Sequence, residues 1–269
     1  MDDATEKLVR RATAAFNSGR PVEAQKLCEQ GLAREPGDAM LHHLLAAVLF
    51  SKSESASART HIDASLAKRP DNAAARLLAA RIARAEGKFD VALSHLDSAI
   101  AINPQREAFV EKARTLDLAG LRAQAREAWQ AILKVIPRHQ EASARLGRMA
   151  WEDGDPAAAA GLLEQAIAAE APASTWFDLG LARQDLRDYG GAASAYRKAF
   201  EIRPDHAEAA LNLGIALQEG GDLDNAMHAF AQAYRLRPQL FGPIAMALTS
   251  ASHGRLWLDE DGLRRALGS

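Results

Sequence analysis

Three arginines, Arg81, Arg114 and Arg148, follow one another at steps of 33 and 34 residues in a chain of 269, and Arg84 and Arg145 lie close to the first and last of them. A guanidinium is a planar, permanently charged fork of N–H donors, so a row of them suits carboxylates and phosphates. Other residue types with chemical potential stand in poorer company. Ser65-Leu66-Ala67-Lys68 has the SxxK form of serine acyl-transfer enzymes, but no supporting motif accompanies it. His42 and His43 are adjacent, and adjacent helical residues point in different directions, which makes them a poor metal pair. The remaining histidines lack ligand spacing. A single Cys28 excludes an internal disulfide framework and a multi-cysteine metal site, and no GxGxxG or other phosphate-binding glycine loop occurs. These residues predict no catalytic group, no cofactor and no metal. The arginines predict binding.

The totals narrow the kind of binding. A net charge of −2 argues against nucleic acid as a partner for the whole surface. The amino terminus, MDDATEKLVRRATAAF, has no uninterrupted apolar region, and no stretch elsewhere approaches about 18 apolar residues. The expectation is a protein not inserted in a membrane, with the cytoplasm as the default compartment.

The elements that position the arginines are set by a repeat. Ala24, Ala58, Ala92, Ala125, Ala159, Ala192 and Ala226 recur at steps of 33 or 34 residues, a period that marks a solenoid. Placing that alanine at position 20 divides the chain into seven units: 5–38, 39–72, 73–105, 106–139, 140–172, 173–206 and 207–240. Position 8 is always small (Ala12, Ala46, Ala80, Ala113, Gly147, Gly180, Gly214), which lets two antiparallel helices approach closely. Position 15 is glycine at Gly19, Gly87, Gly120, Gly154 and Gly221, suited to the left-handed residue that ends a helix. Position 32 is proline in six units, at Pro36, Pro70, Pro104, Pro137, Pro204 and Pro238, and stops the second helix. In the fifth unit Ala171 takes that place, with Pro172 beside it. Pro21 and Pro156 fall in the first turn of a second helix, where proline costs little. Positions 24 and 28 carry an i, i+4 stripe of large apolar residues such as Trp129 and Leu133, or Tyr196 and Phe200.

These residues resemble the tetratricopeptide repeat family. The sixth unit carries the pattern almost whole as Trp176, Leu179, Gly180, Tyr189, Ala192, Tyr196, Ala199 and Pro204. The seventh repeats it as Leu213, Gly214, Gly221, Ala226, Phe230, Ala233 and Pro238. The first four units are more degenerate, with Arg11, Arg76 and Lys112 at usually apolar positions. The resemblance implies an all-α fold, a right-handed superhelical solenoid of antiparallel helix pairs whose first helices line a concave groove. It also implies ligand contact through first-helix positions 2, 5, 9 and 12. Position 9 then holds Arg81, Arg114 and Arg148. Position 5 holds Leu77, Val110, Phe177 and Leu211, and position 12 holds Phe16, Phe50 and Trp151. Towards the carboxyl end the lining turns polar or acidic, with Asp178, Gln184, Asp185, Asn212, Gln218 and Glu219. The Lys–Asn pair with which some members hold a terminal carboxylate at positions 5 and 9 occurs in no unit.

The expectation is a non-enzymatic scaffold holding a peptide or helical segment that presents Asp, Glu or phosphate beside an apolar anchor. Against it stands a plainer reading, in which the arginines pair with carboxylates such as Asp117 or Glu111 across repeats. Two other functions are open: the recognition part of a glycosyltransferase, sulfotransferase or hydroxylase system, and homo-oligomeric self-assembly. Self-assembly would use residues 241–269, which read as one more first helix, roughly Pro243 to Ser252, then Leu256-Trp257-Leu258 and a short helix capped by Asp259 and ending near Leu267. That segment is either a cap on the solenoid end or, through Trp257, an anchor for a partner or a second copy.

Overall fold

The computed structural model describes residues 3–168, 170–250 and 260–268, and among them all regular structure is helical. The chain falls into two compact units, residues 1–128 and 129–269. The first contains α1 (Asp3–Asn17), α2 (Pro21–Arg34), α3 (Ala39–Ser51), α4 (Ser55–Lys68), α5 (Ala73–Ala85), α6 (Phe89–Ile102) and α7 (Arg106–Leu118). Helix α8 (Arg122–Val135) runs across the division. The second contains α9 (Gln140–Glu152), α10 (Pro156–Ala166), α11 (Ala173–Asp185), α12 (Tyr189–Ile202), α13 (Ala207–Glu219), α14 (Leu223–Leu236), α15 (Phe241–Ser250) and α16 (Glu260–Gly268). Within each unit consecutive helices pack as pairs, α1 on α2, α3 on α4, α5 on α6, α9 on α10, α11 on α12 and α13 on α14, and each pair packs on the next.

The turn inside each pair is built on one left-handed residue. Gly19, Gly87, Gly120, Gly154 and Gly221 have φ between 70° and 86°. Ser53 and Arg187 occupy the same register position in the second and sixth repeats and adopt the same geometry, with φ of 64° and 59°. The turn therefore survives without glycine. The backbone bonds that close it, Glu54 N–H to Leu49 O (3.0 Å) and Asp188 N–H to Arg183 O (2.9 Å), hold the strained residue in place.

Close approach explains the small residues at position 8. A Cβ on Gly147 would stand 2.7 Å from Leu163 Cγ, one on Gly214 would stand 2.5 Å from Phe230 Cδ1, and one on Gly180 would collide with the Tyr196 ring. Leu163, Tyr196 and Phe230 are themselves fully buried, each contributing about 1.5–3 kcal/mol by removal from water. Helices begin on Pro21 and Pro156, and Asp38, Asn72, Asp155, Asp188 and Asp222 each accept an N–H of the first turn of the helix they precede. Second helices end two residues before proline at Arg34, Lys68, Ile102, Val135, Ile202 and Leu236. In the repeat that lacks this proline, α10 is shorter than the other second helices, ending at Ala166 after 11 residues.

Helix α15 starts earlier than its sequence suggests, at Phe241, after a 3-10 turn over Pro238–Leu240. Ile244 and Leu248 of α15 and Leu263 and Leu267 of α16 join Ala226, Phe230 and Ala233 in one buried cluster. The Arg264 guanidinium lies 3.9 Å from the Phe241 ring centre. Leu256, Trp257, Leu258 and Asp259 lie outside the described residues.

Candidate functional site: arginine clusters on the first helices

In the first unit, α5 and α7 bring charge together. Arg81 and Arg84 stand three apart on α5, Glu111 and Arg114 three apart on α7, so each pair shares a helix face. Glu111 is 4% exposed. A buried carboxylate must be matched by donors, and three guanidinium groups supply them. Arg114 Nη1 donates to Oε1 at 2.9 Å and Arg81 Nη2 to the same oxygen at 3.3 Å, while Arg84 Nη1 lies 2.6 Å from Oε2. Arg81 also donates to Glu107. The arginine side chains stay 22–38% exposed, so one side of each fork faces Glu111 while part of each remains accessible to water.

Glu111, the carboxylate that the plainer reading of the arginines named, is therefore the hub of the cluster. Leu77 and Val110 are placed otherwise than on a groove lining. They are 8% and 7% exposed, and Leu77 packs with Ala80, Ala83 and Leu96. Position 5 of these two helices turns in towards the neighbouring helices, where burying an aliphatic side chain is favourable.

The second unit holds a different arrangement. Arg148 Nε donates to Glu152 at 2.9 Å, and its Nη1 donates to Asp178 of α11. Its guanidinium lies 5.2 Å from the Trp151 ring centre, within cation–π range. Trp151 Nε1 donates to Asp185 Oδ2 at 2.7 Å. Burial pushes the Asp178 carboxyl above its ordinary range, with Arg148 and Arg145 pulling the other way. Burial works against the charge on Arg148, but Asp178 and Glu152 outweigh it and hold the guanidinium more firmly protonated. Arg145 is exposed on α9. Phe177 is half-buried, stacked on His206 at 4.8 Å and tilted against Tyr196 at 5.6 Å. Tyr196 donates to Gln184 Oε1 at 3.0 Å, and burial raises its phenol well above the usual value. Leu211 packs against the Phe230 cluster.

The other chemistry-bearing residues have structural work. Ser65 is buried and its hydroxyl donates to the Ala39 carbonyl at 2.7 Å, tying α4 to the start of α3. Cys28 is fully buried, and burial pushes its thiol up to about 12, so no thiolate is available near neutrality. Nδ1 of His139 and of His206 accepts the first-turn N–H of Ala142 and of Ala209. Among the described residues, no three His, Cys, Asp or Glu side chains are placed to hold a metal, and no helix is long and apolar enough to cross a membrane.

Stacked helix pairs that display charged and aromatic side chains on their first helices define a repeat scaffold. The chain belongs to the tetratricopeptide repeat family: models of that repeat match residues 15–82, 110–175 and 177–240. Proteins of this family generally mediate protein–protein interaction. No curated protein sequence matches the chain. Among solved structures it is similar to a chain of the APC/C hetero-tetramer Cut9–Hcn1, at 17% identity and a TM-score of 0.64 over 95% of this chain and 48% of that one. The protein thus spans about half the length of that relative. It is also similar to PilW, a type IV pilus biogenesis factor, at 14% identity and TM-score 0.64 over 76% and 96% of the two chains. A third likeness is to a tetratricopeptide repeat protein from Parabacteroides merdae, at 15% identity and TM-score 0.58 over 79% and 84%.

Proposed function

We propose that the protein is a non-enzymatic scaffold that captures an acidic segment of a partner protein, with Arg81, Arg84 and Arg114 as the residues that recognise its carboxylates. The observation that carries this reading is the set of three guanidinium groups held on one buried carboxylate, Glu111, while each keeps part of its surface in water. A partner carboxylate that meets a pre-ordered fork avoids the side-chain ordering that weakens an ordinary surface ion pair. The second unit, taken by itself, offers a separate surface of Arg148, Trp151 and Phe177, with Trp151 giving apolar area and Arg148 a charge already partly committed to Asp178. The absence of a Lys–Asn pair at positions 5 and 9 argues for side-chain carboxylates rather than a chain terminus as the ligand.

Fluorescence anisotropy with labelled peptides of alternating Asp/Glu and Leu/Phe residues tests this. Binding should exceed that of the Asn/Gln counterparts at least tenfold, weaken as salt is added, and be lost in Arg81→Gln/Arg114→Gln with helical content unchanged. Equal binding of acidic and amide peptides, or full binding by the variant, would refute it.

A further inference from the structure

The second repeat contains a pair of histidines that the arginine face does not use. His42 on α3 and His61 on α4 meet with their Nδ1 atoms 2.9 Å apart. His42 Nε2 lies 2.9 Å from the Pro36 carbonyl oxygen. A carbonyl only accepts, so His42 Nε2 carries a hydrogen. In a neutral ring Nδ1 of His42 is then the lone-pair nitrogen, and the hydrogen between the rings must sit on Nδ1 of His61. The ring centres are 5.2 Å apart, about the nitrogen separation plus the two ring radii, so the rings meet head-on as in a hydrogen bond. Of the four ring nitrogens, three are committed. Only His61 Nε2 can take a proton without breaking a contact.

The contact to Pro36 has a counterpart one repeat on. His42 and Arg76 both stand at position 4, and Arg76 Nε donates to the Pro70 carbonyl at 3.1 Å. Position 4 thus reaches back to the proline carbonyl that closes the preceding repeat in both cases, which makes the His42 tautomer a consequence of the register. Glu29 of α2 favours a charge on His61, whereas burial and His42 oppose it. On α3 the neighbouring His43 is held towards the neutral form by burial. On α5 the cation is Arg76, which bears on His95 together with Asp63 of α4. On α1 the corresponding residue is the apolar Leu8.

We propose that His42 and His61 form an acid-sensitive latch between α3 and α4: it stays closed while the pair holds at most one added proton, on His61 Nε2, and it opens when a second proton reaches His42 Nδ1. The second proton puts donors on both facing nitrogens and two like charges at hydrogen-bond distance, so the contact must break. Burial and the neighbouring His42 favour the neutral form of the His61 ring. The contact's stabilisation is therefore full above the ordinary histidine pKa of about 6.5 and is lost as falling pH adds the second proton to the pair. The latch belongs to α3 and α4 and holds whether or not the arginine face binds a partner.

Imidazole 15N NMR on the full chain, titrated from about pH 8 to about pH 4.5, tests it directly. At the upper end the spectra should show His42 as the Nε2–H tautomer and His61 as the Nδ1–H tautomer, the less common one in free imidazoles. On acidification the pair should take up its two protons in separate steps, the first on His61 Nε2, as coupled sites do. Faster amide exchange in α3 and α4 should accompany the second step, and His61→Gln should abolish that step. Both rings as Nε2–H tautomers, or both titrating together near the ordinary value, would overturn the proposal without any variant. Unchanged acid-dependent exchange in His61→Gln would overturn it as well.

Discussion

Replacing Glu111 tests whether the arginine cluster is organised by its buried carboxylate. Glu111 is 4% exposed and lies within 3.3 Å of nitrogens from three arginines on two helices. Removing one partner of a buried ion pair costs about 3–5 kcal/mol when the remaining charge is stranded. Here the remaining charges are guanidinium groups that are 22–38% exposed and can turn towards water, so the lower value of about 2–3 kcal/mol applies. Repeat arrays often unfold in parts, which makes a single melting temperature a poor measure. Amide hydrogen exchange resolves the effect locally. In Glu111→Gln the protection of α5 and α7 amides should fall about 30- to 150-fold, the equivalent of that cost, while α13 and α14 stay as they were. The glutamine keeps the shape but points an amide donor at guanidinium donors. Protection within about twofold of the parent would show that the arginines do not depend on Glu111, and would remove the basis for a pre-ordered site.

Other consequences are smaller in scope. Gly180→Ala would push a methyl into the Tyr196 ring and should destabilise the second unit by about 1–3 kcal/mol; chemical denaturation followed through tyrosine and tryptophan fluorescence checks this, and no loss would mean that α11 and α12 can separate cheaply. Ser53→Gly removes a side chain from a φ of 64° and should leave stability unchanged or raise it by up to about 1 kcal/mol. Ala47→Gly, in mid-helix, should instead lower stability by about 0.5–1 kcal/mol. Denaturant midpoints of the two variants, measured side by side, check the contrast.

The helix pairs are largely legible in the sequence because their signals are local and repeat. Glycine or a substitute at position 15, proline at position 32 and a small residue at position 8 each act within a few residues or on one fixed partner across the pair. The Gly147–Leu163, Gly180–Tyr196 and Gly214–Phe230 approaches show how directly position 8 reads position 24. The arginines are legible as a set, but not their destinations. Whether a long side chain points to a carboxylate or to water depends on rotamers on two different helices, and Arg81 reaches Glu107 and Glu111 while Arg148 reaches Glu152 and Asp178. Leu77 and Val110 look like lining residues by register, yet both are buried. Position 5 alone does not say how tightly adjacent first helices pack. The His42–His61 contact is hidden in the sequence for a related reason. Its members are 19 residues apart, and only positions 4 and 23 of one repeat, read together, bring them into register.

Whether the first-helix arginines choose an acidic partner is decided by selection from a random peptide display library against the intact protein, which works for a partner of any identity. Enriched sequences should carry Asp or Glu next to an apolar residue, and that enrichment should disappear against Arg81→Gln/Arg114→Gln. Enriched sequences without acidic residues, or the same acidic consensus selected by the variant, would show that the arginines do not make the choice.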